Sequence, residues 1–120
     1  MSENQQSPPA SILAALMGVI AERKASPPGT KSYVKTLLDG GVPKIGAKIT
    51  EEAAEVVEAA DEPGPEGRAH LIREAADLLF HTLVMLGHRE IAWGEVESEL
   101  ARRFGISGLD EKASRHPGGG

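Results

Sequence analysis

The sequence predicts an all-α, single-domain protein, and three observations carry the prediction. Apolar residues recur at three- and four-residue spacing in successive segments, the period of one face of a helix. Helix starts and stops punctuate those segments, and no run alternates apolar and polar residues as a strand does. The only aromatic residues are Tyr33, Phe80, Trp93 and Phe104, so Ala, Val, Leu, Ile and Met must build the core, a helix-bundle composition.

The first helix is expected from about Ser11 to Lys24, with Ser11 as N-cap and Ile12, Leu13, Leu16 and Ile20 at helical spacing; Pro27, Pro28 and Gly29 follow its end. A short helix follows in KSYVKTLLDGG, where Tyr33, Val34, Leu37 and Leu38 repeat before Gly40-Gly41. Pro43 then falls in the first turn of a long helix reaching Ala60, where its missing N–H costs nothing. Ile45, Ile49, Ala53, Val56, Val57 and Ala60 are its expected apolar stripe. Residues 61–67, DEPGPEG, read as a hairpin loop short enough to return the next helix, about Glu66 to Gly87, antiparallel to the last. A final helix, near Gly94 to Phe104, carries Val96, Leu100 and Phe104 and stops at Gly105.

The domain is placed at residues 11–105, between a disordered N-terminal tail at 1–10 and a C-terminal tail at 106–120. From Leu78 to Leu86 the penultimate helix is apolar around most of its circumference, which demands more neighbours than the chain supplies and predicts a subunit interface. The expected architecture is an antiparallel helical hairpin completing a four-helix bundle by homodimerisation.

A formal net charge of −5 argues against a nucleic-acid partner. No apolar run is long enough to span a bilayer, and no secretory signal pattern opens the chain, so no membrane partner is expected. The absence of cysteine removes thiolate chemistry and fits a reducing cytoplasm.

The acidic residues are concentrated: Glu51, Glu52, Glu55, Glu58, Asp61 and Glu62 fall within twelve positions. Taken alone, Glu51, Glu58, Asp61 and Glu62 read as a solvated face. Two pairs ask for more. Glu52 with Glu55, and Glu74 with Asp77, are each three residues apart and share a helical face. An antiparallel hairpin brings the two pairs toward a common point, an oxygen-rich set suited to a hard cation, above all Mg²⁺. Glu74 and Asp77 lie among Ala75, Ala76, Leu78 and Leu79, so they are expected near the core, where a cation would relieve their burial. His81, one turn after Asp77, reads first as a satisfied core residue, with a partner to a metal ligand or a phosphate contact as the alternatives; His70, His88 and His116 show no metal-ligand spacing and receive no role. Lys31, Lys35, Lys44 and Lys48 are candidate contacts for substrate phosphates, as point charges.

The ordered segments KSYVKTLL, KIGAKITEEAAEVVEAA and REAADLLFHTLVML, with the tail FGISGLDEKASR, resemble the phosphoribosyl-ATP pyrophosphohydrolase family, among the all-α pyrophosphohydrolases of the MazG type. The resemblance runs from about Lys31 to Arg115. It implies that Glu52, Glu55, Glu74 and Asp77 bind the metal. It also implies a homodimer and Mg²⁺-dependent hydrolysis of phosphoribosyl-ATP to phosphoribosyl-AMP and pyrophosphate, the second step of histidine biosynthesis. Glu51 or Glu55 is then the candidate for orienting or deprotonating the attacking water. Phe80 departs from the family by standing where Tyr is frequent, which removes a hydroxyl beside His81; Val42-Pro43 is a second departure. The competing readings are a housecleaning nucleoside triphosphate pyrophosphohydrolase, which shares the carboxylates, and a noncatalytic helical interaction module, which needs no facing pairs.

Overall fold

The structure is a computed structural model that describes residues 11–106. Four helices follow one another: α1 (Ile12–Lys24), α2 (Tyr33–Ala60), α3 (Gly64–His88) and α4 (Trp93–Phe104). Among the described residues there is no strand. The 1–10 tail and the tail beyond Ile106, including most of FGISGLDEKASR and His116, lie outside the described residues.

Ser11 caps α1 as expected, its hydroxyl accepting from the backbone N–H groups of Leu13 and Ala14 at 3.1 and 3.2 Å. Ser32 does the same for α2, accepting from Lys35 N–H at 3.2 Å. The two helices expected on either side of Gly40-Gly41 join into α2 across one non-helical residue, Gly41, at φ 71° and ψ −163°. Only glycine adopts that backbone at low cost, and Pro43 resumes the helix in its first turn after the break. The expected 61–67 loop contracts to residues 61–63. Gly64 and Pro65 belong to the first turn of α3, where proline gives up no needed hydrogen bond.

Cross-contacts fix the direction of the α2–α3 hairpin. Glu62 in the loop, then Glu55, Glu52 and Gly46 moving backward along α2, meet His70, Glu74, His81 and Met85, moving forward along α3. The helices are therefore antiparallel along most of their length.

The core gathers at one end of this hairpin. Ile20 of α1, Val34, Leu37, Leu38 and Ile45 of α2, and Leu83 and Val84 of α3 are buried together, with Leu13, Leu16, Met17, Phe80 and Trp93 packed against them. Lys24 ties α1 to the end of α3, its ammonium donating to the Gly87 and His88 carbonyls at 3.0 and 3.1 Å in the last turn, where a cation is favoured. α1 can lie this close because Gly87 has no side chain: a Cβ there would sit 2.8 Å from Ile20 Cγ2.

Two expectations about burial are corrected. Along α2 the buried line is Ile45, Glu52 and Ala59, whereas Ala53, Val57 and Ala60 of the expected stripe are exposed, because α3 covers only one side of the helix. On α3, the chain's own α1 and α2 bury Leu83 and Val84 completely, so these residues need no second subunit. Leu79, within the expected stretch, does stay 43% exposed, and outside that stretch Val57 is 70%, Ile72 57% and Val42 52% exposed.

Candidate metal centre

Where α1 does not reach, the hairpin is two helices thick and its facing residues are acidic. Glu55 of α2 and His70 and Glu74 of α3 each offer a ligand atom, and these atoms lie within 4.8 Å of one another. Glu74 and His70 share a face because they are four residues apart, and Nε2 of His70 is 3.4 Å from Glu74 Oε2. The other ring nitrogen, Nδ1, lies 3.0 Å from Glu62 Oε1, which fixes the ring plane.

The electrostatics are those of crowded acids. The Glu55 carboxyl is held above its ordinary range, first by Glu74, then by partial loss of water, and further by Glu51 and Glu58. The His70 imidazole is also raised, chiefly through its hydrogen bond to Glu62. Two carboxylates and an imidazole converging this closely fit a divalent cation, whose charge offsets the repulsion that Glu55 and Glu74 otherwise sustain.

One helical turn from Glu55, Glu52 is buried and its Oε1 lies 2.6 Å from His81 Nδ1. The same nitrogen is 3.0 Å from the Asp77 backbone carbonyl, and Nε2 is 2.9 Å from the Tyr33 hydroxyl. His81 is thus a satisfied buried histidine, as its sequence context indicated. Its hydroxyl partner comes from Tyr33, so Phe at position 80 costs no hydrogen bond. The Phe80 ring packs edge-on against His81 at 4.8 Å and stacks on Tyr33 at 6.2 Å.

Of the four expected ligands, the structure therefore brings Glu55 and Glu74 to one point and sets Glu52 beside them on His81. Asp77 is exposed rather than near the core, a correction to the expected burial cost: its side chain lies on the solvent side of α3, and its backbone carbonyl, not its carboxylate, meets His81. Glu51 is exposed and pairs with Lys48 at 3.5 Å. The Lys48 ammonium is raised first by Tyr33 and then by Glu51, with which it pairs. Lys35 reaches Asp39 at 3.9 Å, while Lys31 and Lys44 are exposed.

His70 was missed from sequence, although its four-residue spacing to Glu74 was visible. Tyr33 was missed as a polar partner because 48 residues separate it from His81. A groove of about 610 Å³ beside Met17, Ala21 and Ile91 shares no residue with the carboxylates and is mostly apolar.

A helical hairpin that turns acids from both strands of the hairpin, with an imidazole, to one point defines a class of all-α proteins built to hold a cation. Within that class, the family model for phosphoribosyl-ATP pyrophosphohydrolase matches residues 13–104. The chain is 52% identical over 100 residues to the phosphoribosyl-ATP pyrophosphatase of Rhodopirellula baltica, covering 83% of this chain and 82% of that one. It is 50% identical over 106 residues to that of Geobacter sulfurreducens and 46% over 105 to that of a Neisseria meningitidis strain, covering 88% of this chain and 94% of the relative in both cases. The chain belongs to the phosphoribosyl-ATP pyrophosphohydrolase family and is a hydrolase acting on a phosphoanhydride.

A pH dependence follows from the crowding. Because the folded state raises the Glu55 value, that group's contribution to stability is present below the ordinary carboxylate range and is lost as pH rises through the raised value. A bound cation cancels the loss. The rise in Tm on adding a divalent cation should therefore be larger at pH 7.5 than at pH 5, as followed by thermal denaturation; an increment independent of pH would exclude Glu55 and Glu74 as the binding groups.

Proposed function

We propose that the protein hydrolyses phosphoribosyl-ATP to phosphoribosyl-AMP and pyrophosphate, the second step of histidine biosynthesis, with Mg²⁺ as cofactor, as a cytoplasmic homodimer. Family membership over residues 13–104 carries the substrate, and the Glu55–His70–Glu74 cluster supports the metal.

When bound, Mg²⁺ supplies neutralisation of charge on the phosphate oxygens and on the departing pyrophosphate. Glu55 and Glu74 hold it, with Glu52 and Asp77 from the adjoining turns completing an oxygen-rich set. Glu51 or Glu55 orients the attacking water or takes its proton; Glu51 is the more available of the two to water, being exposed and, among the described residues, paired with Lys48. Lys48 lies one helical turn before that glutamate, and together with Lys31 just before α2, Lys35 in its first turn and Lys44 after the Gly41 break it provides positive charge for the substrate's phosphates. The protein's main contribution is positioning, since phosphoryl chemistry asks for little covalent participation.

The dimer is supported by the apolar surface that one chain leaves open. Val57 of α2 and Ile72 and Leu79 of α3 are all exposed in the two-helix half of the hairpin, and Ile72, Ala76 and Leu79 follow helical spacing. Each large side chain of this kind is worth about 1.5 to 3 kcal/mol when fully buried, enough to favour a second hairpin laid across the first. Residues 11–105 then form the catalytic domain of each subunit.

Purified protein given phosphoribosyl-ATP should release pyrophosphate only with Mg²⁺, and far faster than from ATP or dCTP. Glu55→Gln and Glu74→Gln should each lower kcat by at least about a hundredfold with an unchanged circular-dichroism spectrum. Turnover of ordinary nucleotides in preference to phosphoribosyl-ATP would overturn the substrate, and full activity of both variants would overturn the site. Leu79→Asp, which leaves the intrachain core intact, should halve the mass seen by sedimentation and lower activity with it; an active wild-type monomer at micromolar concentration would refute the dimer.

A further inference from the structure

Tyr33, His81 and Glu52 form one unbroken line of hydrogen bonds that the hydrolysis outlined above leaves unused. Both contacts of His81 Nδ1 are to acceptors, the Glu52 carboxylate at 2.6 Å and the Asp77 carbonyl at 3.0 Å. That nitrogen must therefore carry the proton. In the neutral ring Nε2 is then an acceptor, and the Tyr33 hydroxyl, 2.9 Å away, donates to it. The line runs from the phenol through the imidazole to the carboxylate.

We propose that Tyr33 and His81 are positioning residues for the metal site: the line commits one oxygen of Glu52 to His81 and leaves the other for the cation. This rests on the reading of Glu52 as a metal ligand. Glu52 is only 8% exposed and His81 4%, so neither finds water as a substitute partner. The imidazole is held on its flanks by Phe80 and by Tyr33, whose rings meet it edge-on at 4.8 and 5.9 Å. Through Nδ1 the same ring also touches the turn of α3 that carries Asp77, so it couples the Glu52 turn of α2 to the Asp77 turn opposite. Without the Tyr33 hydroxyl the imidazole loses the contact that fixes it on the Nε2 side, so the ring can tilt and its bond to Glu52 loosens. A metal ligand left unoriented binds more weakly, as loss of outer hydrogen-bond partners does at other metal sites.

Tyr33→Phe in the full chain is the informative variant, because Tyr33 is half exposed and its stacking on Phe80 survives the change. Mn²⁺ binding followed by electron paramagnetic resonance should weaken about three- to tenfold. NMR should show His81 protonated at Nδ1 in both proteins, with the Nδ1 proton resonance shifted upfield in the variant as the bond to Glu52 lengthens. Activity lost at low Mg²⁺ should return at saturating Mg²⁺, whereas a merely structural role would lower Tm and leave affinity and that resonance alone. Wild-type Mn²⁺ affinity in Tyr33→Phe, or an activity loss that Mg²⁺ does not restore, would overturn the proposal. Glu52→Gln separates the layers. If it weakens Mn²⁺ binding while Tyr33→Phe does not, the positioning role alone falls. If Glu52→Gln binds Mn²⁺ as the wild type does, Glu52 is no ligand and both readings fall.

Discussion

Repulsion between carboxylates that face one another across α2 and α3 is the constraint on which the rest of the structure depends. Glu55 is pushed out of its ordinary range by Glu74 above all, and Glu51 and Glu58 add to the same field. That field works against the close approach of the two helices at this point. Three features oppose it. His70 is drawn in between Glu62 and Glu74, His81 satisfies the buried Glu52, and a cation is the remaining counter-charge that the geometry accommodates.

The apolar core does its holding from a distance. Ile20, Leu37, Ile45, Leu83 and Val84 clamp three helices together at the end of the hairpin away from Glu55 and Glu74, and the acids are carried on the arms that extend from this clamp. The Gly41 break lets the first part of α2 lean back over α3, and this is how Tyr33 meets His81 although Glu52, far along the same helix, meets it too. A straight helix would not present residues 19 positions apart to one imidazole, since the rise along it would separate them by about 28 Å. Stability and chemistry are in this way assigned to opposite ends of one hairpin. A polar site that offers little burial is tolerated because the burial is found elsewhere.

Much of this was legible in the residues. Periodicity and punctuation located the helices to within a few positions, since Ser11, Gly41 and Pro43 act through local backbone physics that sequence shows directly. The ExxE and ExxD spacing marked both acidic faces. What was not legible depended on which side of each helix its neighbour covers. Val57 and Ile45 look alike in a hydropathy pattern, yet one is 70% exposed and the other fully buried, because α3 lies against only one of them. Asp77 looked like a buried acid for the same reason. His70 and Tyr33 acquire their roles only when the hairpin closes, Tyr33 through a partner that no local pattern relates to it.

The central claim is that Glu55 and Glu74 face one another closely enough to need a cation between them. Its most direct test is the ¹³C NMR titration of the Glu55 carboxyl in metal-free protein, in Glu74→Gln, and in the presence of Mg²⁺. The account predicts a midpoint above the ordinary carboxylate range in the metal-free wild type, and a fall toward or below that range when Glu74 is neutralised or Mg²⁺ is added. A Glu55 that titrates in the ordinary range without metal, and does not respond to Mg²⁺, would contradict it.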